Sequence, residues 1–133
     1  MQNVKRKMQN NNTKPKTDLK KRAYIYALEI IRFIDYLDKK DFTVQIISKQ
    51  LLRSATSIGA NIIEAQAGST KKDFTNFFSY ALKSANESKF WLGLLRDSGK
   101  TQKEKCNKLL QETIELSNIL ASSILTLKGK NKF

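Results

Sequence analysis

Residues 50–65 read QLLRSATSIGANIIEA, and this stretch decides the fold class. Its apolar side chains recur at intervals of 4, 3, 4 and 3 residues, at Leu51, Ala55, Ile58, Ile62 and Ala65. This spacing places an apolar stripe along one face of an α-helix and is typical of helices packed side by side in a bundle. Gly59 lies inside the stretch and costs about 1 kcal/mol relative to alanine in a helix, which indicates close approach of another backbone.

Helix-capping signals divide the rest of the chain into four such helices. The first predicted helix begins at Thr17 or Asp18 and ends near Lys39, and the second begins after a cap at Asp41 or Thr43 and ends at Gly68. The third begins after a cap at Ser69 or Thr70 and ends at Gly99. The fourth begins at the Thr101–Glu104 capping box and runs to about Lys128, where Gly129 ends it. Short connections make consecutive helices antiparallel. We therefore predict an all-α, up-down-up-down four-helix bundle over residues 17–128, between a disordered basic arm (1–16) and a short basic tail (129–133).

Positive charge is concentrated at the two ends of the chain. The 25 Lys and Arg residues outnumber the 12 Asp and Glu residues, for a net charge of +13. Residues 1–22 hold eight basic side chains and one acidic one, and residues 128–133 hold three lysines. Cationic extensions of this kind suit a polyanion such as RNA or DNA, although they can also serve only to keep a protein in solution. An anionic membrane surface is the weakest alternative, because residues 1–16 contain only Met1, Val4 and Met8 as apolar anchors.

The candidate nucleic-acid contacts are the basic side chains of the arm, of the first helix and of the start of the third helix. They are Lys5, Arg6, Lys7, Lys14, Lys16, Lys20, Lys21, Arg22, Lys71 and Lys72. Lys71 and Lys72 oppose the positive end of the macrodipole of their helix, which marks them as candidates for an anion contact. The arm has no aromatic residue on which a base would stack, so we expect contacts to phosphate that are largely independent of sequence.

The composition argues against an enzyme. The chain has no histidine, which excludes Ser-His and Cys-His catalysis and the usual zinc ligand sets. Cys106 is the single cysteine and has no visible partner base. No cofactor or metal is expected. The single cysteine, the absence of a signal sequence and the lack of an apolar run near 18 residues are consistent with a cytoplasmic protein.

The first helix has more apolar surface than one core needs. Its apolar sector spans roughly 220°, against about 100° or slightly more for an ordinary surface helix. The surplus predicts an interface between copies of the chain, with Tyr24, Tyr26, Leu28 and Phe33 as the candidate residues. Alternatively, this surface binds a different protein or is covered by the N-terminal arm.

Polar side chains line one face of the second helix. Arg53, Ser57, Asn61 and Glu64 follow each other at spacings of 4, 4 and 3, and the third helix offers Glu87. We favour a polar network between closely packed helices, in which Arg53 pairs with Glu87 or Glu64. The alternative is a polar groove that binds a partner.

Residues 50–65, together with Lys72-Asp73-Phe74, the segment 81–87 (ALKSANE) and Trp91-Leu92, resemble the signature of a bacterial family. These are four-helix-bundle proteins named after intervening sequences of the large-subunit ribosomal RNA gene. The resemblance implies assembly as a ring-like homopentamer. The best-understood relatives of this family are the accessory variability proteins of diversity-generating retroelements, which are basic pentamers that bind nucleic acid and a reverse transcriptase.

The sequence thus predicts a non-enzymatic, oligomeric scaffold that binds nucleic acid by salt-sensitive phosphate contacts. The alternative is an adaptor that presents the Arg53–Glu64 face or the first helix to another protein, for example a reverse transcriptase.

Overall fold

The computed structural model describes residues 15–68 and 70–131, which form four helices joined by short turns. They are α1 (Pro15–Asp35), α2 (Phe42–Ala67), α3 (Lys71–Asp97) and α4 (Lys103–Asn131). No strand occurs in these residues, so the prediction of an all-α four-helix fold is confirmed. Most of the predicted basic arm, residues 1–14, lies outside the described residues.

Each helix packs against the helices before and after it in the chain, and α1 also packs against α4. This closes the four helices into a square, in which α1 lies diagonally opposite α3 and α2 diagonally opposite α4. The short turns make neighbouring helices antiparallel. The starts of α1 and α3 therefore lie at the same end of the bundle as the final turns of α2 and α4.

Three of the predicted boundary residues are confirmed by their geometry. The Asp41 side chain accepts a hydrogen bond from the backbone N–H of Val44 at 3.1 Å and caps α2. The Thr70 hydroxyl accepts one from the N–H of Asp73 at 3.0 Å and caps α3. Gly99, with φ of 74°, adopts the left-handed conformation that commonly follows a helix.

The predicted limits of α1 are wrong at both ends. It begins at Pro15, inside the predicted arm, because a proline is well suited to the first turn, where its missing N–H costs nothing. It ends at Asp35 rather than near Lys39. The N–H groups of Tyr36 and Leu37 donate to the carbonyl oxygens of Phe33 and Ile34, which tightens the chain into a turn that buries Leu37.

The predicted limits of α4 also need correction. The helix begins at Lys103, so Gln102 rather than Thr101 precedes it, and the Gln102 carbonyl accepts the N–H of Cys106 at 3.2 Å. The helix continues through Gly129 to Asn131. Gly129 lacks the positive φ that would end a helix there, so it is accommodated as an ordinary helical residue.

The apolar stripe of residues 51–65 is central to the core. Its five apolar residues are each fully buried. Gly59 lies against α1, since a Cβ at this glycine would stand 3.6 Å from the Cβ of Ala23. The close backbone approach predicted at Gly59 is therefore confirmed.

Two of the residues predicted for an interface between copies belong to the core instead. Tyr26 is fully buried, and Phe33 is 6% exposed. Both project from the side of α1 that α4 covers, where the Tyr26 hydroxyl lies 2.6 Å from the Thr113 Oγ1 of α4. The surplus apolar surface of α1 is on its other flank, where Tyr24 is 67% exposed and Leu28 is half-buried.

Candidate nucleic-acid interface

Lysines from two helices meet at one end of the bundle. We call this the basic end and define it by Lys71 and Lys72 of α3 and Lys128 of α4, all of which are exposed. They are brought together because α3 starts where α4 finishes. Lys20 and Lys21 of α1 are also exposed, but they lie further from this end, beside Arg22, whose partners Glu112 and Glu115 are in the first half of α4. Lys16 lies in the first turn of α1. The remaining predicted contacts, Lys5, Arg6, Lys7 and Lys14, lie outside the described residues.

The three lysines of the basic end line a groove between α3 and α4. Its volume is about 460 Å³, and its lining residues are Lys71, Lys72, Thr75, Asn76 and Lys128. No carboxylate lines the groove, so no acidic side chain of the lining competes with a bound anion for its three ammonium groups and one amide. The Thr75 hydroxyl donates to the backbone oxygen of Lys71 at 2.9 Å and is already engaged.

Lys128 is the residue of this groove that the sequence analysis did not select. We counted it only as part of a charged tail, because it lies 56 residues after Lys72 in the chain. Its place in α4 makes it a neighbour of Lys71 and Lys72. The available signal was the antiparallel order of the helices, which brings the end of α4 beside the start of α3.

Arg22 is a correction to the predicted contacts. Its guanidinium donates to Glu112 at 2.6 Å and to Glu115 at 2.9 Å, and the hydrogen bond to Glu112 is the main reason that its pKa is raised. Two carboxylates already neutralise it, so Arg22 joins α1 to α4 and does not offer a free cation to phosphate.

Most of the polar residues predicted for a network between α2 and α3 are connected by hydrogen bonds, and Glu64 is the exception. Arg53 pairs with Glu87 at 2.8 Å, and Ser57 accepts hydrogen bonds from Ser84 and Asn61, each at 3.0 Å. Deeper in the interface, the hydroxyls of Ser54 and Ser88 lie 2.8 Å apart and are fully buried. Glu64 is exposed and forms no ion pair with another described residue. The network thus links α2 to α3, with its Arg53–Glu87 end open to solvent.

Cys106 is placed where a thiol is least reactive. It is fully buried, and its Sγ donates to the backbone oxygen of Leu92 at 3.1 Å. Burial raises the pKa of the Cys106 thiol to about 11.

The folded protein should therefore resist alkylation. At pH 8, the raised pKa lowers the thiolate fraction about 100-fold relative to a thiol with the ordinary pKa of 9.0, and burial blocks access as well. We expect iodoacetamide to modify Cys106 more than 100-fold faster in 6 M urea than in buffer, as followed by intact mass. Equal rates in the two conditions would contradict the buried position.

Among the described residues, no group of three or more Cys, Asp or Glu side chains is placed to hold a metal ion. Asp41 is used structurally, since it caps α2 and pairs with Lys100 at 2.7 Å. None of the described helices is long and apolar enough to cross a membrane.

Two comparisons place the chain among known proteins. The sequence model of the 23S rRNA-intervening sequence protein family matches residues 16–122. A protein of unknown function from the S23 ribosomal protein family of Bacteroides thetaiotaomicron VPI-5482 has a similar crystal structure, with a TM-score of 0.76 and 35% sequence identity. That match covers 82% of this chain and 96% of the other. The comparison with curated proteins gives no match. The link to retroelement accessory proteins, with a reverse transcriptase as partner, stays a prediction.

Proposed function

Because the chain belongs to the 23S rRNA-intervening sequence protein family, we propose that it associates with RNA through phosphate contacts at the basic end and catalyses no reaction itself. The family name supports RNA as the polyanion. The observation that carries the proposal is the convergence of lysines from α3 and α4, which are distant in sequence, at one end of the bundle.

The chemistry of the basic end favours phosphate over bases. Lysine ammonium groups are point charges that bind phosphate without reading sequence, whereas base readout needs planar or paired hydrogen-bonding groups. The groove between α3 and α4 offers one amide, Asn76, beside its three lysines. Its surface is also acid-free, so an approaching strand meets no repulsion there. These features support binding that is broad in sequence and sensitive to salt.

The proposal is tested by fluorescence anisotropy of the full-length protein with a labelled RNA strand of mixed sequence, across a series of salt concentrations. We expect the logarithm of the affinity to fall linearly with the logarithm of the salt concentration, by about 0.7 per phosphate contact on a single strand. Comparison with the affinity for a DNA strand of the same sequence shows whether the 2′-hydroxyl of the ribose contributes to binding. Absence of binding at 50 mM salt, or an affinity that salt does not change, would overturn the proposal.

We also propose that the protein self-associates through one flank of the bundle. Tyr24 and Ile31 of α1 are 67% and 41% exposed, and Leu52 and Ile63 of α2 are 39% and 49% exposed. Leu52, Gly59 and Ile63 share one face of α2, and Gly59 touches α1, so the two exposed stripes adjoin. Adjoining apolar residues on two helices are the pattern expected of an oligomer interface.

Light scattering after size exclusion tests this self-association directly. We expect a mass that is a multiple of 15.2 kDa, with five copies as the number that the family resemblance implies. Several copies of the basic end in one assembly would raise the avidity for RNA. A single-chain mass at micromolar concentration would overturn the proposed self-association, without bearing on RNA binding by the monomer.

A further inference from the structure

An exposed tyrosine lies at the opposite end of the bundle from the basic end. Tyr36 follows the last residue of α1, and 80% of it is exposed. Its position is well defined, because its N–H donates to the carbonyl oxygen of Phe33 at 3.1 Å and its neighbour Leu37 is buried. The turn that ends α1 early thus presents an aromatic ring to solvent on an ordered backbone.

Three cations line the groove beside this ring. A groove of about 300 Å³ between α1 and α4 is lined by Arg32, Lys105 and Lys108, with Tyr36 at its edge and Glu29 as the single carboxylate. The Lys105 ammonium lies 4.6 Å from the centre of the Tyr36 ring. None of the three cations forms an ion pair within the described part of the chain.

A second hollow continues this groove past the tyrosine. It has a volume of about 270 Å³, shares Phe33, Tyr36 and Lys105 with the first, and adds Lys100. Lys100 is paired with Asp41 at 2.7 Å and so contributes little free charge. Tyr36 therefore lies between two hollows. The first, which is lined by Arg32 and Lys108, carries more unpaired positive charge than the second.

We infer that this groove binds a nucleotide unit, with its base stacked on Tyr36 and its phosphate held by Arg32 and Lys108. Base stacking on an exposed ring beside cations is the usual way in which proteins hold single strands. A duplex keeps its bases stacked inside, so the ring selects unpaired nucleotides. As a contact for an RNA strand, the inference rests on the proposed function and adds to it a second, base-contacting site.

The groove is separate from the basic end. Tyr36 faces Lys105 in the first turn of α4, and Lys128 of the basic end lies 23 residues further along the same helix, about 35 Å away. Substitutions in one site therefore leave the other intact. Tyr36 is not among the predicted contacts, because the sequence predicts a first helix that continues past it to about Lys39 and so conceals the turn that exposes its ring.

The test compares Tyr36→Leu with Tyr36→Phe in the full-length protein, using a labelled uridine-rich single strand and an abasic strand of the same length. Loss of the ring should weaken binding of the uridine-rich strand about five- to 100-fold. The abasic strand has no base to stack, so its affinity should not change. Tyr36→Phe keeps the ring and should remain within about twofold of the wild type. Phe42→Leu is the matched control, since Phe42 is 74% exposed but lines neither hollow.

A second arm titrates uridine monophosphate into the isotope-labelled protein and follows backbone amide shifts by NMR. Shifts confined to Tyr36, Lys105 and their neighbours, and absent in Tyr36→Leu, are expected. If the wild type binds the strand and Tyr36→Leu binds it equally, the inference is overturned and the proposed function stands. If no strand binds but the mononucleotide shifts these amides, the proposed function fails and the groove is a site for free nucleotides. If neither ligand binds, both are wrong.

Discussion

Tyr26→Ala is expected to lower the free energy of unfolding by about 3–5 kcal/mol, as is usual for removing a fully buried aromatic ring. The ring is fully buried between α1 and α4, so its deletion leaves a cavity in the core. Its hydroxyl donates to Thr113 Oγ1 at 2.6 Å, while Thr113 donates onward to the backbone oxygen of Leu109 at 2.6 Å. A loss of this size is a large part of the 5–15 kcal/mol that stabilises a typical domain.

Tyr26→Phe separates the ring from the hydroxyl. It keeps the packing and removes one buried hydrogen bond, at a cost of about 1 kcal/mol. Burial raises the pKa of Tyr26 to about 12 from its ordinary 10.0, so the wild type should lose stability as the pH rises through this interval, where the unfolded chain ionises first. The phenylalanine variant should lose less over the same interval.

Tyr24→Ala is the matched control for the alanine variant, two residues earlier in the same helix. Tyr24 is 67% exposed, so we expect its removal to change the stability of the single bundle by less than about 0.5 kcal/mol. Urea unfolding followed by circular dichroism, at a protein concentration where wild type and variants have the same mass, measures both. Equal losses at Tyr24 and Tyr26 would contradict the packing of α1 against α4.

Neutralising the groove between α3 and α4 should have the largest effect on RNA binding. In the variant Lys71→Gln, Lys72→Gln, Lys128→Gln, three phosphate contacts are lost. The slope of the salt dependence on a single strand should then fall by about two, and the affinity at 0.15 M salt by roughly 10- to 100-fold. The anisotropy salt series measures both quantities. An unchanged slope would show that the groove engages no phosphate.

The control variant removes the same net charge elsewhere. Lys40, Lys49 and Lys83 are exposed and lie outside every groove described above. Their replacement by glutamine should leave the slope within about 0.5 of the wild type. Protein stability gives a second check. Lys71 and Lys72 oppose the macrodipole at the start of α3, so their neutralisation should not destabilise the fold while RNA binding falls.

Local signals in the sequence were sufficient for the helices and for the centre of the core. The 4-3 spacing in residues 51–65 identified five side chains that are all buried, because helical periodicity alone decides which residues share a face. Asp41, Thr70 and Gly99 were readable as boundaries, since capping and left-handed turns depend on a few adjacent residues. The Arg53–Glu87 pair was also predictable, because helical spacing places each residue on a polar face and consecutive helices pack side by side.

The burial of the wide apolar sector of α1 was decided by tertiary structure. Its residues are similar in hydrophobicity on both flanks, so nothing local distinguishes Tyr26 and Phe33 from Tyr24 and Leu28. The position of α4 determines which flank is buried, because α4 covers the flank with Tyr26 and Phe33 and supplies Thr113 as the partner of the Tyr26 hydroxyl.

Tertiary structure also decided which charged side chains became neighbours. The sequence by itself determined four amphipathic helices, their order and the excess of lysine at the chain ends. Only the antiparallel packing decided that Lys128 joins Lys71 and Lys72, that Arg22 is neutralised by Glu112, and that Tyr36 faces Lys105. Periodicity is a property of residues a few positions apart, whereas a site depends on which distant helices become neighbours in space.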